Sequence, residues 1–214
     1  MTSVTDFMIA ITAFYGFLLL RRWKGDAGES LRYYQQYFLM FAIGMTFAAW
    51  FGHALQAYVA FEWKMVGWIC SLSGQTFLAF ASLTDVRKGL GEKKFHWIKL
   101  AILVLFSVFL IWILSPLRSF TAAQTANGVF AVGLVVPLQL YQYFRYKRSG
   151  NLIILGAIAY GLFPSLIYNQ QISLHRWFNY HDISHVLLCG FMLMMIFGVR
   201  KIQHETVERI SDKT

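Results

Sequence analysis

Charge is what this sequence has least of. Asp, Glu, Lys and Arg together make up 14% of its 214 residues, where a soluble domain carries about a quarter. Too few polar side chains remain to clothe a water-facing surface, which excludes a soluble globular protein. Carboxylates are scarcest, with 10 Asp and Glu against 19 Lys and Arg. The two cysteines, Cys70 and Cys189, fall inside apolar runs without paired spacing, so neither a disulfide framework nor a cysteine-type metal site is expected. Internal repeats are lacking as well, and with them any sign of the duplicated halves of many transporters.

What the chain has instead is apolar surface: 57% hydrophobic and 18% aromatic residues. A helix needs roughly 20 mostly apolar residues to cross the hydrocarbon core of a bilayer. Seven such runs follow one another: Val4–Leu20, Tyr37–Phe61, Met65–Thr84, Leu100–Leu117, Ser119–Phe144, Leu152–Ser173 and Trp177–Val199. The expected fold is all-α, a single bundle of seven transmembrane helices over residues 1–200 followed by a short cytoplasmic tail over 201–214. The first run is no secretory signal, because its positive residues follow it rather than precede it. Pro137 and Pro164 fall inside runs and predict kinks.

The excess of Lys and Arg is a topology signal. Sixteen of these residues flank one side of the seven runs, and only Lys64, Arg118 and Arg176 flank the other. The positive-inside rule then puts the N-terminus outside and the C-terminus, with Arg209 and Lys213, in the cytoplasm. Attraction to anionic inner-leaflet lipid accounts for the charge, and nucleic acid is not an expected partner.

Three histidines have no ordinary place to go. His53 lies inside the second run, roughly 10 Å below its outer end at 1.5 Å per residue. His181 and His185 open the seventh run, roughly 6 and 12 Å deep by the same rise. Residues at i and i+4 project from one helix face, so this pair can bind one ion. A third imidazole at matching depth completes a three-nitrogen set with an open fourth position, the pattern of a catalytic zinc site. The alternative is that each histidine hydrogen-bonds to a neighbouring helix. His175, His96 and His204 read as surface residues.

Only three carboxylates share the outer side: Asp6, Glu62 and Asp182. Asp182, three residues before His185, is placed to orient an imidazole or handle a proton, or to complement the helix dipole. Asp6, in Thr2-Ser3-Val4-Thr5-Asp6, reads as a helix-start residue and secondarily as a catalytic one. Ser71, with Ser73 and Gln75, falls roughly 9 to 15 Å below the outer end of the third run, a depth suited to holding a substrate carbonyl or to bridging helices.

This arrangement resembles the superfamily of seven-span membrane proteins that groups alkaline ceramidases with the progestin and adipoQ receptors. Its members carry Ser-x-x-x-His in the second helix, an Asp near the third and His-x-x-x-His in the seventh, with the three histidines on zinc. His53 matches the first histidine, and His181-Asp182-Ile183-Ser184-His185 matches the final pair. Ala49 stands where the family has its serine, and Asp85, the sole acid of the third span, lies at its cytoplasmic end just past Thr84.

The resemblance implies a zinc-dependent hydrolase cleaving an amide or ester bond of a lipid-like substrate. His53, His181 and His185 would hold the metal, and Asp182, Asp6 or Ser71 would take the proton-handling roles. The expected partners are membrane lipid and a lipid-like small molecule reaching the site sideways, and the expected location is a bacterial inner membrane. Two other readings stand beside it: a non-catalytic receptor or sensor with a structural metal site, and a cytochrome in which His53 and one further histidine clamp a haem.

Overall fold

The computed structural model describes residues 2–23, 28–115 and 120–211, with side chains described through Glu208. Among the described residues, seven helices are long and apolar enough to cross a membrane. They are α1 (Thr2–Arg21), α2 (Glu29–Ala54), α3 (Glu62–Leu90), α4 (Glu92–Leu114), α5 (Phe120–Tyr146), α6 (Ser149–Asn169) and α7 (Tyr180–Ser211). No strand occurs among the described residues. The expected run ends Leu117 and Ser119 lie outside the described residues, as do Lys24, Arg118 and Lys213 and the side chain of Arg209.

Helix ends depart from the apolar runs where polar residues continue a helix or aromatic ones leave it. α2 begins at Glu29, eight residues before its expected start, because Tyr34 and Tyr37 are buried against the bundle despite the polar residues between them. It ends at Ala54, so the aromatic stretch to Phe61 is a connection. α7 begins at Tyr180 and runs past Val199 to Ser211, so the expected tail continues the helix. Gly91, at φ 76°, turns α3 straight into α4, a backbone conformation open mainly to glycine.

Both expected proline sites coincide with backbone irregularities. A π-turn over Val129–Val135 precedes Pro137 in α5, which absorbs the clash that a proline ring makes with the turn before it. α6 breaks at Gly161, just before Pro164.

The helices close into a ring in which α1 packs on α2 and α7, α2 on α3, α3 on α5, α5 on α6 and α6 on α7. α4 lies outside the ring, against α3 and α5, and is the least buried of the seven. Lipid tails are as apolar as leucine, so close packing and interhelical hydrogen bonds hold such a ring together. Gly44 and Gly67 let α2 and α3 touch: a Cβ on either would lie 3.1 Å from the backbone oxygen of the other. Gly150 and Gly198 do the same for α6 and α7. A Cβ on Gly150 would meet the Ile202 nitrogen at 2.6 Å and the Gly198 oxygen at 2.7 Å.

At the end of the bundle where α1 finishes, a fully buried polar network spans four helices. Gln139 Nε2 on α5 donates to Tyr34 Oη on α2 (3.2 Å) and to Ser82 Oγ on α3 (2.9 Å). Asn151 Nδ2 on α6 donates to the Oε1 atoms of Gln139 and Gln142 at 2.6 and 2.7 Å. Tyr34 passes its own proton toward Asp85 Oδ2 at 3.5 Å. Polar groups that hydrocarbon cannot satisfy are thus paired with one another.

Gly150→Leu is expected to destabilise the bundle by about 1–3 kcal/mol, the cost of overpacking a site that backbone atoms enclose. A lowered thermal midpoint in detergent checks this; an unchanged midpoint would show that α6 and α7 separate freely.

Candidate histidine and carboxylate site

α2 ends not as an α-helix but as a seven-residue π-turn over Ala48–Ala54, and His53 is its penultimate residue. His181 is the second residue of α7 and His185 the sixth. The histidines therefore share one level, as their spacing predicts, but at the helix ends rather than deep inside the runs. Both helices stop sooner than the apolar pattern does, which moves all three outward together.

The first turn of α7 is fixed by local hydrogen bonds. Asn179 Oδ1 accepts from the His181 and Asp182 nitrogens at 2.9 and 3.4 Å, and Asp182 Oδ2 accepts from the Asn179 nitrogen at 3.1 Å. This reciprocal capping box satisfies helix-end donors that would otherwise be bare. Ser184, between the two histidines, donates to Tyr180 O and to Pro164 O, tying the turn to the broken part of α6. His181 is packed between Tyr168 and Tyr180, at centroid distances of 5.2 and 4.2 Å.

The three imidazoles come together. Ring centroids are 5.7 Å apart for His53 and His181, 6.2 Å for His53 and His185, and 6.4 Å for His181 and His185. Between two of them stands Asp6 from α1. Its Oδ2 lies 3.5 Å from His53 Nε2 and its Oδ1 lies 3.2 Å from His185 Nδ1. The Asp6 side chain is 1% exposed while that of His53 is 29% exposed, so the cluster has a closed floor and one open wall. Neither carboxylate oxygen accepts a well-formed hydrogen bond. The expected helix-start role of Asp6 is thereby corrected: α1 begins at Thr2, and the Asp6 carboxylate turns inward to the imidazoles because hydrocarbon offers a carboxylate no other partner.

Asp182 is fully buried and reaches His185 only through an intermediary. Thr5 Oγ1 lies 3.4 Å from Asp182 Oδ1 and 3.1 Å from His185 Nδ1. Thr5 and Asp6 thus bring a hydroxyl and a carboxylate to the histidines from α1. Ala49, one turn before His53 in sequence, is buried and has no hydroxyl to offer. Ser71 does not join the cluster. It lies nine residues inside α3, roughly 13 Å from the helix start, and its hydroxyl donates to Asn127 Oδ1 on α5 at 3.2 Å.

Thr5 escaped the sequence reading because its partners lie 177 and 180 residues away. The Asn179 cap had a readable signal in its three-residue spacing to Asp182.

Two ligands on one tetrahedral zinc ion, each at about 2.0–2.1 Å, sit roughly 3.3 Å apart, and two imidazole centroids on it roughly 5 Å apart. The Asp6 oxygens stand 3.2 and 3.5 Å from His185 Nδ1 and His53 Nε2, the distance of an ion-pair contact. The observed centroid distances exceed the spacing of rings on one zinc ion, and among the described residues no group of three or more His, Cys, Asp or Glu is arranged to hold a metal ion as it stands. Three imidazoles with an unpaired buried carboxylate beside them fit such an ion in donor chemistry, with all three rings having to draw in.

Residues 1–204 match a family of unknown function, DUF6962, and the chain belongs to it. No curated protein and no solved structure matches the chain.

Thr5→Val is expected to cost about 1–3 kcal/mol, because it leaves the buried Asp182 Oδ1 without its side-chain donor. Thermal unfolding in detergent measures it, and a variant as stable as the parent would show that Thr5 does not couple α1 to α7.

Proposed function

We propose that this member of DUF6962 is a membrane-embedded, zinc-dependent hydrolase that cleaves an amide or ester bond of a lipid-like substrate. The observation that carries the reading is the meeting of three imidazoles from α2 and α7 around a buried carboxylate from α1. Of the common divalent ions, zinc suits a set of three imidazoles with an open fourth position. His53, His181 and His185 would hold it. When bound, the ion acts as a Lewis acid that polarises a carbonyl and makes water more acidic.

The remaining chemistry falls to the chain's own side chains. Asp6 faces the imidazoles with both oxygens available and serves as the base. It takes a proton from the water whose oxygen bonds to the carbonyl carbon. As the C–N or C–O bond breaks, it returns that proton to the leaving amine or alkoxide. Asp182 is a positioning residue: it orients Thr5, and Thr5 holds the ring of His185. Ser71, bonded to Asn127, has no part in this scheme. The half-exposed His53 wall admits the scissile group of a molecule already in the bilayer.

The positive-inside rule supports a site on the extracytoplasmic side of a bacterial inner membrane, since Arg87, Lys88, Lys93 and Lys94 flank the opposite end. A haem clamped by His53 and His185 is disfavoured by Asp6, which stands between those two rings. The receptor reading keeps the same metal without turnover.

Elemental analysis of detergent-purified protein tests the site. Near-stoichiometric zinc that disappears in His53→Ala and in His185→Ala supports it, and zinc retained by both overturns the ligand set. Asp6→Asn is expected to keep the zinc and lower turnover of ceramide-like amides or lysolipids about 10²–10⁴-fold, the usual contribution of a general base. A zinc-loaded parent that forms no product favours the receptor. For orientation, Tyr58→Cys in intact cells should react with an impermeant thiol reagent while Lys93→Cys should not; the reverse pattern would invert the topology.

A further inference from the structure

The seam between α1 and α2 holds a cavity of about 440 Å³ whose lining includes Phe7, Ala10, Phe14, Ala42, Thr46 and Phe47. Its floor is made by two small buried residues, Ala10 and Ala42. The one hydroxyl in the lining, that of Thr46, donates to the backbone oxygen of Ala42 at 2.8 Å and offers nothing to a ligand. The cavity is therefore chemically uniform and suits only a hydrocarbon occupant.

Its position relates it to the histidine site. Ala10 lies one helical turn from Asp6 on nearly the same face of α1, and Phe47 leads directly into the π-turn that ends at His53. At the upper end the rings of Phe7 and Trp50 meet edge to face at 5.6 Å. Phe7 adjoins Asp6, and Trp50 is three residues from His53, so this aromatic pair stands where the seam meets the site. From Phe7 to Phe14 the seam is roughly 10 Å long at 1.5 Å per residue.

We infer that the α1–α2 seam seats the acyl chain of the substrate, with the Phe7–Trp50 pair at the point where the chain joins the scissile carbonyl. The inference rests on the hydrolase reading and adds to it a substrate class: a single-chain acyl amide or ester, drawn from the surrounding leaflet. Transfer from bilayer to seam exchanges one apolar medium for another, so the seam contributes little affinity. Its effect is orientation, because a chain held along the seam brings its carbonyl toward the open wall at His53. Selection between chains then comes from the fit of their length and bulk.

Photo-crosslinking of the full-length protein in nanodiscs tests this. The probe is a long-chain N-acyl amide carrying a diazirine at the chain terminus, and zinc content is measured in parallel. Adducts are expected on residues 7–14 and 39–47. They should be lost in Ala42→Trp, which fills the floor, and in Ile11→Trp, which changes a lipid-facing wall residue and so is compatible with folding. Both variants should retain zinc, and their turnover of the long-chain amide should fall relative to that of an acetyl amide. Adducts elsewhere, or adducts unchanged by both substitutions, overturn the seam. A zinc-loaded, active protein without seam adducts overturns the seam alone. Seam adducts on a parent without zinc or turnover overturn the hydrolase reading and leave the seam as a chain-binding site.

Discussion

A carboxylate inside a seven-helix membrane bundle has no water to turn to, and everything around Asp6 answers that constraint. Its two oxygens face His53 from α2 and His185 from α7. The same constraint brings Thr5 against Asp182 and His185. Three helices are thereby tied at one end by groups that hydrocarbon cannot satisfy. Hydrogen bonds between membrane helices contribute only about 0.6–2 kcal/mol each, so this clustering does less to hold the bundle together than to fix which side chains meet. The outcome is a polar chamber with a buried floor and an open wall at His53.

The opposite end repeats the logic with hydroxyl and amide groups beside Asp85. Tyr34, Ser82, Gln139, Gln142 and Asn151 are fully buried and bonded to one another across α2, α3, α5 and α6. Gly44 with Gly67 between the two clusters, and Gly150 with Gly198 beside Asn151, set the helix separations. The polar clusters are therefore mounted on backbones in direct contact, a rigid support for chemistry that needs groups placed within a fraction of an ångström.

The two backbone irregularities nearest the candidate site bear on it directly. The π-turn at the end of α2 carries His53, and in the segment of α6 beyond its break at Gly161 the Pro164 oxygen accepts from Ser184, between the two histidines of α7. Departures from regular helix thus occur where side chains are being aimed, as is common for π-turns.

Read from the sequence, the number and order of the helices follow from apolar length, and His181 and His185 share a face because the helical repeat is a local property. The depth of His53 was harder to read, since the aromatic connection after Ala54 is as apolar as the helix before it. Asp6 at the end of one run looks like a helix-start residue, because its real partners are remote in the chain. Local pattern marks the residues that have no comfortable place in lipid. Their company is set by the packing of remote helices, which joins Thr5 and Asp6 to the histidines and leaves Ser71 with Asn127. Those pairings depend on how the ring closes α1 against α7, and no periodicity within a single helix records that closure.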